Sequence, residues 1–193
     1  KDYPVNSVMS VISSAKNSLI SPDDYLADSD IQRRDYYAKR PRLGEIYKGY
    51  WARCRNSNAM DFDDILFYTN ILFRDNSDVL EKYQNFFQYI LVDEYQDTNF
   101  SQHLVVQQLS RVHNKVCVVG DDAQSIYSFR GADIQNILRL KTYYPGLETF
   151  KLEQNYRSTQ TILNVANSLI EKNRNQIPKR IFSMNAVGER IPV

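Results

Sequence analysis

Cysteine is scarce. The 193 residues hold two, Cys54 and Cys117, too few for a disulfide framework and without metal-ligand spacing, and neither His103 nor His113 completes a site with them. A structural zinc or a catalytic cysteine is not expected. Long apolar runs are also missing: none approaches the roughly 18 residues of a membrane span, and Lys1-Asp2-Tyr3-Pro4 lacks the apolar core of a signal peptide. Both points predict a soluble, cytoplasmic chain with no membrane partner. Charge of one sign is absent too, since 24 Lys and Arg against 23 Asp and Glu leave a net +1, and whole-chain electrostatics therefore suggest no polyanionic partner. There is no internal repeat or low-complexity tract. What is present in quantity is apolar material, 42% of residues, sufficient for one or two packed cores.

The charge is unevenly distributed. Between Gln32 and Arg55 lie eight basic residues, Arg33, Arg34, Lys39, Arg40, Arg42, Lys48, Arg53 and Arg55, against Asp35 and Glu45. This stretch is either a phosphate-facing surface or a solvated helix face. From Asp61 to Phe100 nine acids face only Arg74 and Lys82, and from Lys151 onward the balance is basic again. The alternation suggests at least two structural units.

Leu43, Ile46, Tyr47, Tyr50, Trp51 and Cys54 recur at steps of three and four, which predicts a helix beginning near Pro41. Asp61 with Asp64 three residues on predicts a second helix start, with Phe62, Ile65, Leu66, Thr69 and Phe73 along one side. Leu80, Tyr83 and Phe87 continue a helical period. After Gln88, two short apolar runs, Tyr89-Ile90-Leu91-Val92 and Val116-Cys117-Val118-Val119, read as fully buried strands. A helical period through Phe100, Leu104, Val105, Gln108 and Leu109 separates them, so a parallel pair with a crossover helix is predicted, with Cys117 inside the sheet. Helices near Asp133 to Leu140 and Ser158 to Ile170 follow, with a turn at Pro145-Gly146 and an extended run from Glu148 to Leu152 between them.

Both strand runs end in acids, Asp93-Glu94 and Asp121-Asp122. In open parallel sheets ligands sit at the carboxyl ends of strands, and an apolar strand ending in Asp is a way to hold Mg²⁺ for phosphate cleavage, with an adjacent Glu to activate water. Such a strand end is also a commonplace exposed turn.

The wording around the strand ends is more specific. Val92-Asp93-Glu94-Tyr95-Gln96-Asp97-Thr98-Asn99, then Val119-Gly120-Asp121-Asp122-Ala123-Gln124-Ser125-Ile126-Tyr127-Ser128-Phe129-Arg130-Gly131-Ala132, then Leu152-Glu153-Gln154-Asn155-Tyr156-Arg157-Ser158 resemble three successive motifs of the UvrD/PcrA/Rep-like DNA helicases of superfamily 1. Met60-Asp61-Phe62-Asp63-Asp64-Ile65 and Ile12-Ser13-Ser14-Ala15-Lys16-Asn17 resemble further segments of the same family. The resemblance implies an α/β fold: a partial RecA-like (P-loop NTPase type) parallel sheet with helices, preceded by an all-helical insert segment. It implies three parts, with 1–58 the C-terminal part of the helical insert, 59–148 the second half of the first RecA-like ATPase domain, and 149–193 the start of the second.

By the same resemblance, Asp93 binds Mg²⁺ and Glu94 activates the hydrolytic water. Gln124 senses the γ-phosphate, Tyr156 stacks on adenine and Arg157 reaches the γ-phosphate. Tyr127, Phe129 and Arg130 contact DNA. ATP and Mg²⁺ are the implied cofactors, and single-stranded and duplex DNA the implied partners. Ala123, Phe129 and Tyr95 depart from the family's commoner Asp, Trp and Phe. The family's phosphate-cradling loop, G-x-x-x-x-G-K-[ST], does not occur: only Gly44 and Gly49 have the right separation, and Tyr50-Trp51 follows them within a helical period. The 193 residues therefore read as an internal segment of an ATP-dependent helicase, expected to be inactive alone and open to self-association through unpaired sheet surface. A helicase-like module of a helicase-nuclease and a non-catalytic DNA-binding scaffold are the alternatives.

Overall fold

The computed structural model describes residues 3–128, 131–174 and 176–191. Its first part is helical, and each helix starts where a short-range signal stands. Helix α1 (Val5–Asn17) follows Pro4 and turns Val8, Ile12 and Ala15 inward at steps of four and three. Ser21 and Asp24 form a reciprocal capping box at α2 (Pro22–Ala27), with Pro22 pre-set for the first turn. Asp28 accepts from the Asp30 and Ile31 N–H groups to start α3 (Ser29–Tyr37). Helix α4 (Leu43–Asn56) is the one expected near Pro41, and it buries Leu43, Gly44 and Tyr47. A Cβ on Gly44 would lie 2.4 Å from Leu26 Cδ2, so the absence of a side chain there lets Leu26 of α2 pack directly on α4.

Val8, Ile12, Ala15, Tyr25, Leu43 and Tyr47 form the first core cluster. The Tyr25 and Tyr47 rings meet edge to face, with centroids 5.8 Å apart. Burial, reinforced by donation to Asp35 Oδ2 at 2.6 Å, pushes the Tyr25 hydroxyl up to about 12. The basic stretch lies outside this core. Arg33, Arg42 and Lys48 pair with Asp30, Glu45 and Asp23 on exposed side chains, and Lys39, Arg53 and Arg55 are exposed. This is a solvated face.

Asp61 and Asp64 form the expected capping box at α5 (Phe62–Asp75), but the helix buries a different face from the one the apolar period suggests. Phe62 is 90% exposed and Ile65 is also exposed, whereas Asp64, Phe67, Asn70 and Phe73 are buried. Two of these four are polar, and their partners explain the rotation. Asp64 meets Lys16 of α1, and Asn70 donates to the Ser101 carbonyl and hydroxyl at 3.1 and 2.9 Å. A buried face built around polar groups that find partners on other elements is invisible to a hydrophobic period. Helix α6 (Ser77–Phe86) follows, and α5 and α6 both pack against α7 (Phe100–Ser110).

Strands β1 (Ile90–Val92) and β2 (Val116–Val118) pair in parallel, with Leu91 opposite Cys117 and Val92 opposite Val118. Helix α7 connects them, started by a capping box between Asn99 and Gln102. The strands are not fully buried. Val92 and Val118 face a second cluster formed by Tyr95, Ile137 and Leu140 with Val106, while Leu91 is 75% exposed and Cys117 is exposed. Because side chains alternate along a strand, a continuous apolar run needs cover on both faces. Among the described residues only one face is covered.

Helices α8 (Gln135–Leu138) and α9 (Leu140–Tyr143) cap that cluster, and α10 (Gln160–Ile170) lies beyond it. The extended run before Glu153 forms no strand; Gln154 instead makes an isolated parallel bridge with Phe182. Among the described residues, no helix is long and apolar enough to cross a membrane.

Candidate functional site

The chain leaves β1 through Asp93 and an unusual residue. Glu94 has φ 51° and ψ 43°, the left-handed region that a residue with a Cβ adopts at a cost of about 1–3 kcal/mol. The surroundings hold it there. Its N–H donates to Asp93 Oδ1 at 2.9 Å, and on either side the backbone is pinned to β2, with Val119 N–H donating to the Val92 carbonyl at 2.8 Å and Tyr95 N–H to the Val119 carbonyl at 3.0 Å. Asp93 and Glu94 are both exposed. The side chain that fixes the Glu94 carboxylate is Gln96, which is 1% exposed. Gln96 Nε2 donates to Glu94 Oε2 at 2.7 Å, and Gln96 Oε1 accepts from the Asp121 N–H at 2.9 Å. One amide thus joins the ends of the two strands.

At the β2 end, Asp121 caps a 3₁₀ turn over Asp122–Gln124. Asp121 Oδ1 accepts from Ala123 N–H at 3.0 Å, and Oδ2 accepts from Gln124 Nε2 at 2.8 Å. Gln124 is exposed, so its amide lies at the surface of the same strand end as Glu94. Lys179 Nζ reaches Asp121 Oδ1 at 2.6 Å and also pairs with Asp122, whose other oxygen accepts from Ile177 N–H at 2.7 Å. Burial pushes the Asp121 carboxyl up, but donation from Lys179 and Gln124 outweighs it and holds the group below its usual range. Burial likewise opposes the Lys179 charge, and Asp121 and Asp122 overcome it, so the ammonium is held above its usual range.

Those directions set a pH dependence. A lowered carboxyl contributes stability above its unfolded value and loses it as pH falls through the folded one. A raised ammonium contributes below its unfolded value and loses it as pH rises through the folded one. Lys179→Met is therefore expected to lower stability by about 1–3 kcal/mol near neutral pH, because Asp122 stays buried without its cation. The loss should shrink in acid, which thermal melts across pH would measure. An unchanged melting temperature at neutral pH would mean that the contact is not maintained in solution.

Tyr156 and Arg157 stand on a loop fixed by Asn155. Asn155 Oδ1 accepts from the Arg157 and Ser158 N–H groups at 2.9 and 2.7 Å, and Asn155 N–H donates to the Phe182 carbonyl at 2.7 Å. The Tyr156 ring is 78% exposed and so is not a core group. Arg157 is exposed, and among the described residues it makes no ion pair with Glu153, whose carboxylate instead accepts from Arg180 N–H at 2.8 Å. Glu94 and Gln124 are thus connected through the side chain of Gln96 and through Asp121. No hydrogen bond or ion pair among the described residues joins Tyr156 or Arg157 to them. The two groups are linked indirectly, through the 177–182 segment. Tyr127 is exposed beyond the β2 turn; Phe129 and Arg130 lie outside the described residues.

Asp93 suits a cation that arrives with phosphates. Its carboxylate is exposed, with one oxygen held by the Glu94 N–H, and the described residues contain no cluster of three or more His, Cys, Asp or Glu side chains able to cage a metal. Mg²⁺ characteristically takes one or two carboxylates together with substrate phosphates.

Gln96 and Lys179 are site residues that sequence reasoning did not single out. Gln96 sits within the first strand-end motif, where a polar residue between Tyr95 and Asp97 is a faint signal. Lys179 has no local signal, because its partners are more than fifty residues away.

Residues 1–145 match the family model of the UvrD/REP helicase N-terminal domain, and residues 150–193 match that of the UvrD-like helicase C-terminal domain. The chain is 45% identical over 191 residues to the ATP-dependent DNA helicase PcrA of Staphylococcus aureus strain Mu50, covering 99% of this chain and 25% of that protein. It is 43% identical over 191 residues to PcrA of Staphylococcus epidermidis, covering 99% and 25%, and 41% identical over 189 residues to PcrA of Leuconostoc citreum, covering 98% and 24%. The chain therefore spans about a quarter of the length of these relatives.

Proposed function

Because this chain belongs to the UvrD/Rep helicase family, we propose that it supplies the hydrolytic strand ends of an ATP-dependent DNA helicase that couples Mg·ATP cleavage to translocation on single-stranded DNA and to duplex unwinding. The observation that carries this reading is the joined pair of strand ends, Asp93-Glu94 and Asp121 to Gln124, bridged by one buried amide. Glu94 is the general base for water and Asp93 the ligand for the nucleotide's Mg²⁺. Gln124 presents an amide to the γ-phosphate, able to donate to phosphate oxygen and accept from water. Tyr156 offers an exposed ring to adenine, and Arg157 a planar fork to phosphate oxygens. Tyr127, Phe129 and Arg130 form the DNA-facing stretch, where stacking on any base suits travel along arbitrary sequence.

The two separate core clusters, with buried residues within 8–47 and within 95–140, support a helical insert part at 1–58 and an ATPase part at 59–148, and the C-terminal family match over 150–193 supports the start of a second RecA-like part at 149–193. Free Cys54 and Cys117 suit the reducing cytoplasm. Among the described residues, exposed Leu91, Cys117 and Val119 leave one sheet face apolar and uncovered, and the 193 residues alone are expected to self-associate through it.

The test is a single-stranded-DNA-stimulated ATPase and unwinding assay on a full-length protein carrying this segment; absence of both activities would overturn the reading. In that protein Arg157→Lys keeps the charge and gives up the fork, so turnover is expected to fall by roughly tenfold or more while ATP affinity changes little. Unchanged turnover would make Arg157 a structural residue.

A further inference from the structure

We infer that Gln96 is a positioning residue for hydrolysis, its buried side-chain amide aiming the Glu94 carboxylate while anchored on the backbone of Asp121. This rests on the assignment of Glu94 as the base. The geometry is specific in three ways. Both ends of the amide are used: Nε2 donates to Glu94 Oε2 at 2.7 Å and Oε1 accepts from Asp121 N–H at 2.9 Å. An exposed carboxylate on a flexible side chain has many rotamers, and a donor from a group that is itself 1% exposed selects among them.

The backbone has also made room for this amide. A Cβ on Gly120 would lie 2.7 Å from Gln96 Oε1 and 2.9 Å from Ile137 Cδ1, and the Gly120 φ is not in the left-handed region, so the glycine serves space rather than conformation. The amide in addition connects the base to the other strand end. Asp121, whose N–H anchors Gln96, accepts from Gln124 Nε2 and from Lys179 Nζ. A displacement of the β2 end therefore moves the anchor of the group that aims Glu94.

The test uses a full-length protein carrying this segment, with single-stranded DNA saturating. Gln96→Ala is expected to lower kcat about ten- to hundredfold, the scale of a misplaced catalytic group, with KM for ATP within about twofold. Gly120→Ala, which pushes on Oε1, should lower kcat in the same direction. Gln96→Glu gives a readout that simple destabilisation would not move. Its protonated carboxyl has one O–H to donate to Glu94 and one C=O to accept from Asp121 N–H, reproducing the amide. When ionised it repels Glu94. The charged groups nearby are Glu94 and Asp93 at the β1 end, and Asp121 with Lys179 beyond it at the β2 end.

The kcat of Gln96→Glu relative to the unsubstituted protein should therefore rise about threefold or more between about pH 8 and about pH 6. Should Gln96→Ala fail to fold, this pH ratio decides. A flat ratio, or a Gln96→Ala protein with unchanged kcat, overturns the inference. Glu94→Gln serves as the control. If it abolishes turnover while Gln96→Ala does not lower it, only the role of Gln96 is lost; if it leaves turnover intact, Glu94 is not the base and the role of Gln96 falls with it.

Discussion

Exchange of Glu94 for glutamine, in a full-length protein carrying this segment, is expected to lower ATP turnover by at least about a hundredfold while nucleotide binding survives. The substitution keeps the size of the side chain and removes its capacity to take a proton from water. The fold should tolerate it. The left-handed backbone at Glu94 is held by donation of its own N–H to Asp93 Oδ1 and by the main-chain bonds of its neighbours Val92 and Tyr95 to Val119, rather than by the Glu94 side chain, and a glutamine carbonyl can still accept from Gln96 Nε2. Steady-state ATPase rates paired with equilibrium binding of a fluorescent ATP analogue separate the two effects. An equal loss of binding and turnover would indicate instead that Glu94 is a primary ligand of the nucleotide's metal.

Lys16→Met is expected to produce the largest loss of stability. Lys16 is 1% exposed at the end of α1. Its ammonium lies 2.6 Å from Asp61 Oδ2 and 2.7 Å from Asp64 Oδ1, beside the Tyr50 and Trp51 rings at 4.9 and 5.5 Å. Those two carboxylates also form the capping box of α5, so the lysine clamps α1 onto the start of that helix. Removing the cation leaves two acids close together in a largely buried place, an effect of about 3–5 kcal/mol. Asp61 should report it. Burial pushes the Asp61 carboxyl up, but donation from Lys16 and Tyr50 more than reverses this and holds it below its usual range.

A carboxyl lowered on folding contributes stability above its unfolded value and loses it as pH falls through the folded one. In Lys16→Met that contribution is largely gone, so the deficit against the unsubstituted protein should be greatest near neutral pH and narrow in acid. Denaturant melts at several pH values would measure it. Adding Asp64→Asn should recover part of the loss at neutral pH, and a fully additive double variant would argue against the clamp.

Much of this protein was legible along the chain. Helix starts are short-range events, in which Asp61 and Asp64 complete their bonds within three residues, so composition and spacing suffice to find them. The two strands likewise lie inside the apolar runs that mark them, and the strand-end motifs single out Asp93, Glu94 and Gln124 as candidates without reference to any contact. Which face is buried was another matter for helix α5 and for the strands. Helix α5 turned Asp64 and Asn70 inward in place of Phe62 and Ile65, and the strands left Leu91 and Cys117 in solvent.

The same holds for the groups that organise the site. The bond from Gln96 to Asp121 spans 25 residues, the pair of Lys16 with Asp61 spans 45, and that of Lys179 with Asp121 spans 58. A period or a cap is a property of neighbours on one element, and sequence spacing records it. Burial of a polar side chain becomes favourable only when a distant partner replaces the water it has lost, and for Lys16, Gln96 and Lys179 tertiary packing alone determined which partner that would be.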